Sequence, residues 1–197
     1  MENAATSATS ELRAATWPSH QRLDKRLDFK ARLATIDSYR GHIERMLGFY
    51  APIEARLASG VFGDWLTDYA ARRKVPLLER DILALGAGSS DIAVLPCCPF
   101  VPACNDPQAA FGCAYVLEGA TLGGRTLMPL VETRLGLTAE HGAAFLGSYG
   151  DAVGDMWRCF GRALDRCCST ENHRGRAAEA ASATFSALEH WLCDAHP

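Results

Sequence analysis

The sequence has no C-x-x-C, no apolar run of about 18 residues and almost no alternating strand pattern. Eight cysteines in 197 residues raise the question of a disulfide framework, but the spacing argues against one. Cys97-Cys98 and Cys167-Cys168 are vicinal, and Cys104, Cys113, Cys159 and Cys193 are scattered. Free thiols buried as small hydrophobes are expected. A zinc site from Cys97, Cys98 and Cys104 is not, because their spacing matches no usual ligand pattern. The lack of a long apolar run excludes a membrane-spanning helix. Residues 1–10 are small and polar, without the apolar stretch of a signal peptide, so a flexible tail and a reducing cytoplasm are expected. Basic charge is scarce too. The net charge is −3, and the densest basic run, Arg72-Arg73-Lys74 after Ala71, is too short for a nucleic-acid footprint.

What the chain does have is helical periodicity. At 48% hydrophobic and 22% charged it can bury one sizeable core, and no internal repeat divides it. We expect an all-α single domain over 11–197, built from about eight helices. Leu12, Thr16, His20, Leu23 and Leu27 fall on one helical face, and Pro18 should kink that helix or mark its first turn. A long helix is predicted over 36–57 with Asp37 as its cap, a shorter one over 62–73 and another over 77–85. Residues 95–107 hold four prolines and should form an ordered loop. Asn105-Asp106-Pro107 then signals a helix start, with a capping side chain before a proline. That helix should run to about 134. A weaker segment over 142–150 and helices over 151–168 and 174–194 complete the chain.

The helix from Pro107 contains "YVLEGATLGGR", three glycines in eleven residues. Each costs about 1 kcal/mol against alanine in a helix interior. Gly119 and Gly123 are one turn apart and Gly112 lies two turns earlier, on the same face. Two readings compete. In the plain one, missing side chains let a second helix backbone approach. In the other, a flat ligand lies against the backbone and Gly123-Gly124 allows a bend over it. His20 bears on the choice. A histidine on an apolar face is usually a core residue, but neutral imidazole also ligates iron. A histidine helix facing a glycine helix would form a slot for haem (heme).

These stretches resemble the haem oxygenase family. "LRAATWPSHQRLD" (12–24) resembles the start of those enzymes and "YVLEGATLGGR" (115–125) their distal-helix motif. "YRGHIERMLGFYAPIE" (39–54) and "ATFSALEHWL" (183–192) are similar to the second and last core helices. "VPLLERDILALG" (75–86) and "FLGSYGDAVGDMWRCF" (145–160) resemble the bacterial branch, above all enzymes that supply biliverdin to bacteriophytochromes. The resemblance implies cleavage of haem with O2 and electrons from an external reductase or ferredoxin, giving biliverdin, CO and ferrous iron. Haem b would be cofactor and substrate together.

By the same resemblance His20 matches the proximal iron ligand, and Asp24 a carboxylate that orients its imidazole. Thr16 lies beside them on the haem-facing strip. Arg13 matches a basic residue at the propionates. Gly119 and Gly123, with Val116 and Gly124, match the distal backbone that approaches bound oxygen. Ala120 stands where many animal members carry an aspartate that anchors water. The carbonyls of Val116 and Gly119 should hold that water here, with Tyr149 or Arg158 completing the network. Ser182 and Ser186 stand where those members carry basic propionate anchors. Ala120 and these serines leave open a haem carrier or sensor without turnover. A non-haem scaffold on the same fold is a third reading. A di-iron oxidase is disfavoured by the lack of paired E-x-x-H helices.

Overall fold

The computed structural model describes residues 7–60 and 62–194. Among them the only regular structure is helical. The elements are α1 (Ala8–Arg26), α2 (Phe29–Arg32), α3 (Ile36–Ser59), α4 (Phe62–Trp65), α5 (Tyr69–Arg72), α6 (Val75–Ala84), α7 (Ser89–Ala93), α8 (Pro107–Leu135), α9 (Ala144–Gly147), a 3-10 turn (Gly150–Ala152), α10 (Val153–Cys167) and α11 (Glu171–Cys193). The count exceeds eight because several are single turns.

Local chemistry sets most boundaries. Ser7 caps α1 through the Ser10 amide, and the Ala8 amide donates to Asp165 of α10 at 2.7 Å. The expected flexible tail over 1–10 is therefore corrected: 8–10 are helical and anchored, and 1–6 lie outside the described residues. Helix α1 neither starts nor stops at Pro18, which lies inside it. Proline removes one backbone donor, and Ala14, the residue whose carbonyl loses it, is exposed to solvent. Thr35, not Asp37, caps α3, because Thr35 and Ser38 exchange side-chain bonds in a reciprocal box. Asp37 instead pairs with Arg40 at 3.3 Å. The single helix expected over 62–73 is two turns, α4 and α5. Asp106 caps α8 by accepting from the Ala109 amide at 2.7 Å, and Gly136 closes it in the left-handed conformation at φ 69°. The proline-rich loop is ordered on α3: the Cys98 amide donates to the Gly48 carbonyl at 2.9 Å, and Arg56 holds the Val101 and Pro102 carbonyls.

Helix α11 packs along both α8 and α1, whereas α1 and α8 barely touch. Gly112 explains the tight α8–α11 crossing. A Cβ there would stand 2.2 Å from the Ala177 carbonyl oxygen and 2.8 Å from the Ala180 side chain. Helix α10 covers the other flank of α8 and also meets α1, where Gly161 lies against Thr9. The core thus fills the space behind α8 and leaves a wedge between α1 and α8, with α11 as its floor.

Candidate active site

His20 is half-exposed on α1. Its Nδ1 lies 3.0 Å from an Asp24 carboxylate oxygen, one turn on. A carboxylate at Nδ1 favours the tautomer that leaves the Nε2 lone pair for a metal. The ring stacks on Trp17 (centroids 5.7 Å apart) and meets the edge of buried Phe185 on α11 (5.8 Å). Thr16, one turn earlier, is buried and donates to the Leu12 carbonyl at 2.7 Å. Its hydroxyl also lies near the Tyr115 hydroxyl of α8. Tyr115 precedes Gly119 by one turn of α8, as Thr16 precedes His20 by one turn of α1.

The glycines of α8 divide cleanly. Gly112 is filled by α11, as described above. Gly124 is filled by α9, for a Cβ there would lie 2.6 Å from the Leu146 carbonyl oxygen. Gly124 therefore serves helix packing, which corrects its expected place among the ligand-binding residues. At Gly112 the plain reading of the glycines holds, a close approach of a second helix. Gly119 and Gly123 differ. The nearest atom to a Cβ on Gly119 is Trp157 at 3.9 Å, and a Cβ on Gly123 would meet nothing within 4 Å. Ala120 is exposed beside them, and Leu122 is an apolar residue 39% open to solvent. Trp17 across the wedge is 47% exposed. Large exposed apolar groups facing an unfilled helix backbone fit an apolar planar ligand.

Helix α8 runs unbroken across its glycines. Side-chain donors reach the carbonyls of Leu117 (Tyr50 Oη, 3.2 Å) and Glu118 (Thr121 Oγ1, 2.6 Å). Those expected to hold water were Val116 and Gly119, and Val116 itself is buried in the core.

The charged groups sort by depth. Arg13 lies one turn before Trp17 with its guanidinium 6.0 Å from that ring, and it is exposed. Arg158 of α10 projects from the side of α10 that faces α1: Gly154, one turn earlier, would meet its guanidinium, and Gly161 lies against Thr9. It pairs with Asp155. Both arginines are exposed, Arg13 on α1 and Arg158 on the side of α10 that meets α1. Behind α8 lies a buried set: Arg72, Glu118, Tyr149 and Lys74. Burial and the adjacent Glu118 carboxylate push the Tyr149 hydroxyl well above its usual pKa, so it stays a donor. Burial lowers Lys74 to about 8.

Among the described residues no three His, Cys, Asp or Glu side chains gather around a common metal position, and the cysteines are free. His190 repeats the histidine–aspartate pairing, with Asp194, but Asp194 also takes Arg26 and the ring packs on Phe100 of the proline-rich loop. His42 is fully buried and held neutral, lowered to about 3 by burial and Arg32.

The family model described as Heme oxygenase matches residues 6–194. The chain belongs to the haem oxygenase family. A curated Heme oxygenase from Xanthomonas campestris pv. campestris (strain 8004) is 30% identical over 155 residues, 76% of this chain and 86% of that protein. Two solved haem oxygenases share the fold. The Neisseria meningitidis enzyme, determined with NO and CO bound, has a TM-score of 0.74 at 18% identity, covering 95% of this chain and 91% of its own. The Leptospira interrogans enzyme has a TM-score of 0.77 at 14% identity, covering 96% and 100%. With the family comes the activity class, a haem-degrading oxidoreductase.

Of the residues expected at the site, His20, Asp24 and Thr16 lie on α1, and Gly119, Ala120 and Gly123 on α8. Sequence reasoning missed the buried Arg72–Glu118 pair, although a glutamate inside apolar "YVLEG" was a visible signal. In a haem oxygenase built this way, Asp24→Asn should weaken haem binding about tenfold, the usual scale for removing the group that orients a ligating histidine. Haem titration followed at the Soret band measures it. Unchanged affinity would show that Asp24 does not orient the ring.

Proposed function

We propose that the wedge binds haem b between His20 and the Gly119–Gly123 face of α8, and that the protein cleaves it with O2 and electrons from an external reductase or ferredoxin. The products would be biliverdin, CO and ferrous iron. The observation that carries this reading is the split among the glycines. Close backbone packing accounts for Gly112 and Gly124, whereas Gly119 meets only the edge of the Trp157 ring and Gly123 meets nothing, and His20 on α1 keeps Nε2 for a ligand. Bound haem supplies an iron that activates oxygen, and the porphyrin itself is what is oxidised.

The residues of this chain do the rest. His20 ligates, and Asp24 holds its Nδ1 proton. The bare backbone at Gly119 and Gly123 admits a diatomic ligand where a side chain would exclude it. Trp157 closes one side and limits the directions that ligand can take. Ala120 offers no acid beside the glycines, which keeps fast proton delivery away from the oxygen. Arg13 and Arg158 sit where the wedge meets solvent and suit the two propionates by charge. Ser182 and Ser186 carry no charge, and the Ser186 hydroxyl donates to the Ser182 carbonyl, so the arginines serve as the anchors. If so, the double variant Arg13→Ala with Arg158→Ala binds haem more weakly, and wild-type binding weakens with added salt while the variant's does not. Equal salt dependence in both proteins would contradict this assignment.

We further propose a cytoplasmic enzyme, in keeping with eight free thiols, whose bilin serves a bacteriophytochrome. No helix is long and apolar enough to cross a membrane among the described residues. The second reading, a haem carrier, is favoured by Ala120, which puts no carboxylate at the open face. Ascorbate added in air to the ferric complex separates the two. The enzyme loses its Soret band and yields a bilin, whereas a carrier keeps the band.

A further inference from the structure

Glu118 directly precedes Gly119, yet its side chain turns away from the wedge and is only 7% exposed. Its two oxygens have separate partners. Tyr149 Oη donates to one at 2.7 Å, and Arg72 Nη1 donates to the other at 2.9 Å. The Arg72 side chain, 1% exposed, also grips both oxygens of Asp68 at 2.8 Å, and Nη1 reaches the Met156 carbonyl at 3.2 Å. Met156 precedes Trp157, the residue whose ring faces Gly119. One guanidinium is therefore bonded to the chain neighbours of both residues that bound the space over Gly119. The Arg72 carbonyl accepts from Lys74 Nζ at 2.8 Å, and the Lys74 ammonium lies 3.5 Å from the Tyr149 ring centre.

This is a costly way to join helices. Two buried charges lose their hydration, and well-packed apolar groups often stabilise as much or more. What a fork of charge-assisted bonds does supply is a single fixed geometry. Here that geometry spans α5, α8 and α10 at the level of the open glycine.

We propose that the Arg72–Glu118 pair is a positioning device, fixing the gap between the Gly119 backbone and the Trp157 indole and so selecting which edge of the porphyrin a distal ligand points toward. The inference rests on haem occupying the wedge. Arg72, Glu118 and Tyr149 touch neither haem nor its ligands on this view and act only through Gly119 and Trp157.

The test uses Glu118→Gln, which keeps the shape but loses the charge, and Tyr149→Phe, which removes one bond and leaves the ion pair. Each is loaded with haem, and three properties are read: the ferric spectrum, the C–O stretching band of the ferrous CO complex, and the bilin isomers formed with ascorbate. The wild type should give one narrow C–O band and one isomer. Glu118→Gln should keep the histidine-ligated ferric spectrum, but its C–O band should shift or split and a second isomer should appear. Tyr149→Phe should move both in the same direction and by less. Variants that melt earlier yet keep an unmoved band and a single isomer would make the pair scaffolding only and overturn the proposal. Should Glu118→Gln fail to fold, Tyr149→Phe decides alone. A wild type that does not bind haem would remove the reading of the wedge, and this inference with it.

Discussion

His20→Ala abolishes turnover while leaving the fold intact. The apoprotein should hardly notice the change. The side chain is half-exposed, and what it loses is an i, i+4 pairing with Asp24, worth about 0.3–0.5 kcal/mol at a helix surface. The holoprotein should lose everything that depends on iron ligation. The histidine-ligated ferric spectrum disappears, and ascorbate produces no bilin. Added imidazole can enter the space the side chain leaves and should restore both in part. Circular dichroism, the ferric spectrum and bilin yield, each with and without imidazole, measure the three statements. A variant that keeps the wild-type spectrum would show that another group ligates the iron. His190, with its own aspartate, would be the next candidate, although its ring packs against Phe100 rather than the wedge.

The second large effect is a contrast between glycines of one helix. Gly123→Leu should fold at least as well as the wild type. A Cβ there meets nothing, and leucine is favoured over glycine in a helix by roughly 0.8 kcal/mol. Its side chain would fill the space over the distal backbone, so turnover should fall to the background of free haem. Gly112→Ala should do the reverse. A methyl group 2.2 Å from the Ala177 oxygen forces α8 and α11 apart, an overpacking cost of about 3 kcal/mol or more. The melting temperature should drop steeply, and the fraction that remains folded should still turn over haem. Thermal melts beside single-turnover assays at equal haem loading give both halves. Loss of folding in Gly123→Leu would mean that this glycine also serves packing, and the split on which the functional reading stands would vanish.

That split marks where the sequence stops being informative. Glycine spacing alone could not separate Gly112 and Gly124, which accommodate Ala177 and Leu146, from Gly119 and Gly123, which accommodate nothing. The difference depends on where α11 and α9 pass, and those contacts are long-range. Helix starts were legible where a side chain caps its own backbone, as at Asp106. At α3 the reciprocal box at Thr35 and Ser38 outranked the nearer acid, Asp37. The region over 62–73 looked like one helix by periodicity. It is two turns in the structure, and Arg72 at the end of the second leaves solvent to meet Asp68, Glu118 and Met156. No local pattern marks an arginine as buried. Apart from Asp68, its partners lie 46 and 84 residues away in the chain. The His20–Asp24 pair was legible because its two members are one helical turn apart, a spacing that survives any tertiary arrangement.

The most direct test of the central claim is a crystal structure of the ferric haem complex. It should show iron bonded to His20 Nε2, Asp24 still on Nδ1, and the backbone of Gly119 and Gly123 across the opposite porphyrin face. Haem ligated by any other side chain, or lying outside the space between α1 and α8, would contradict it.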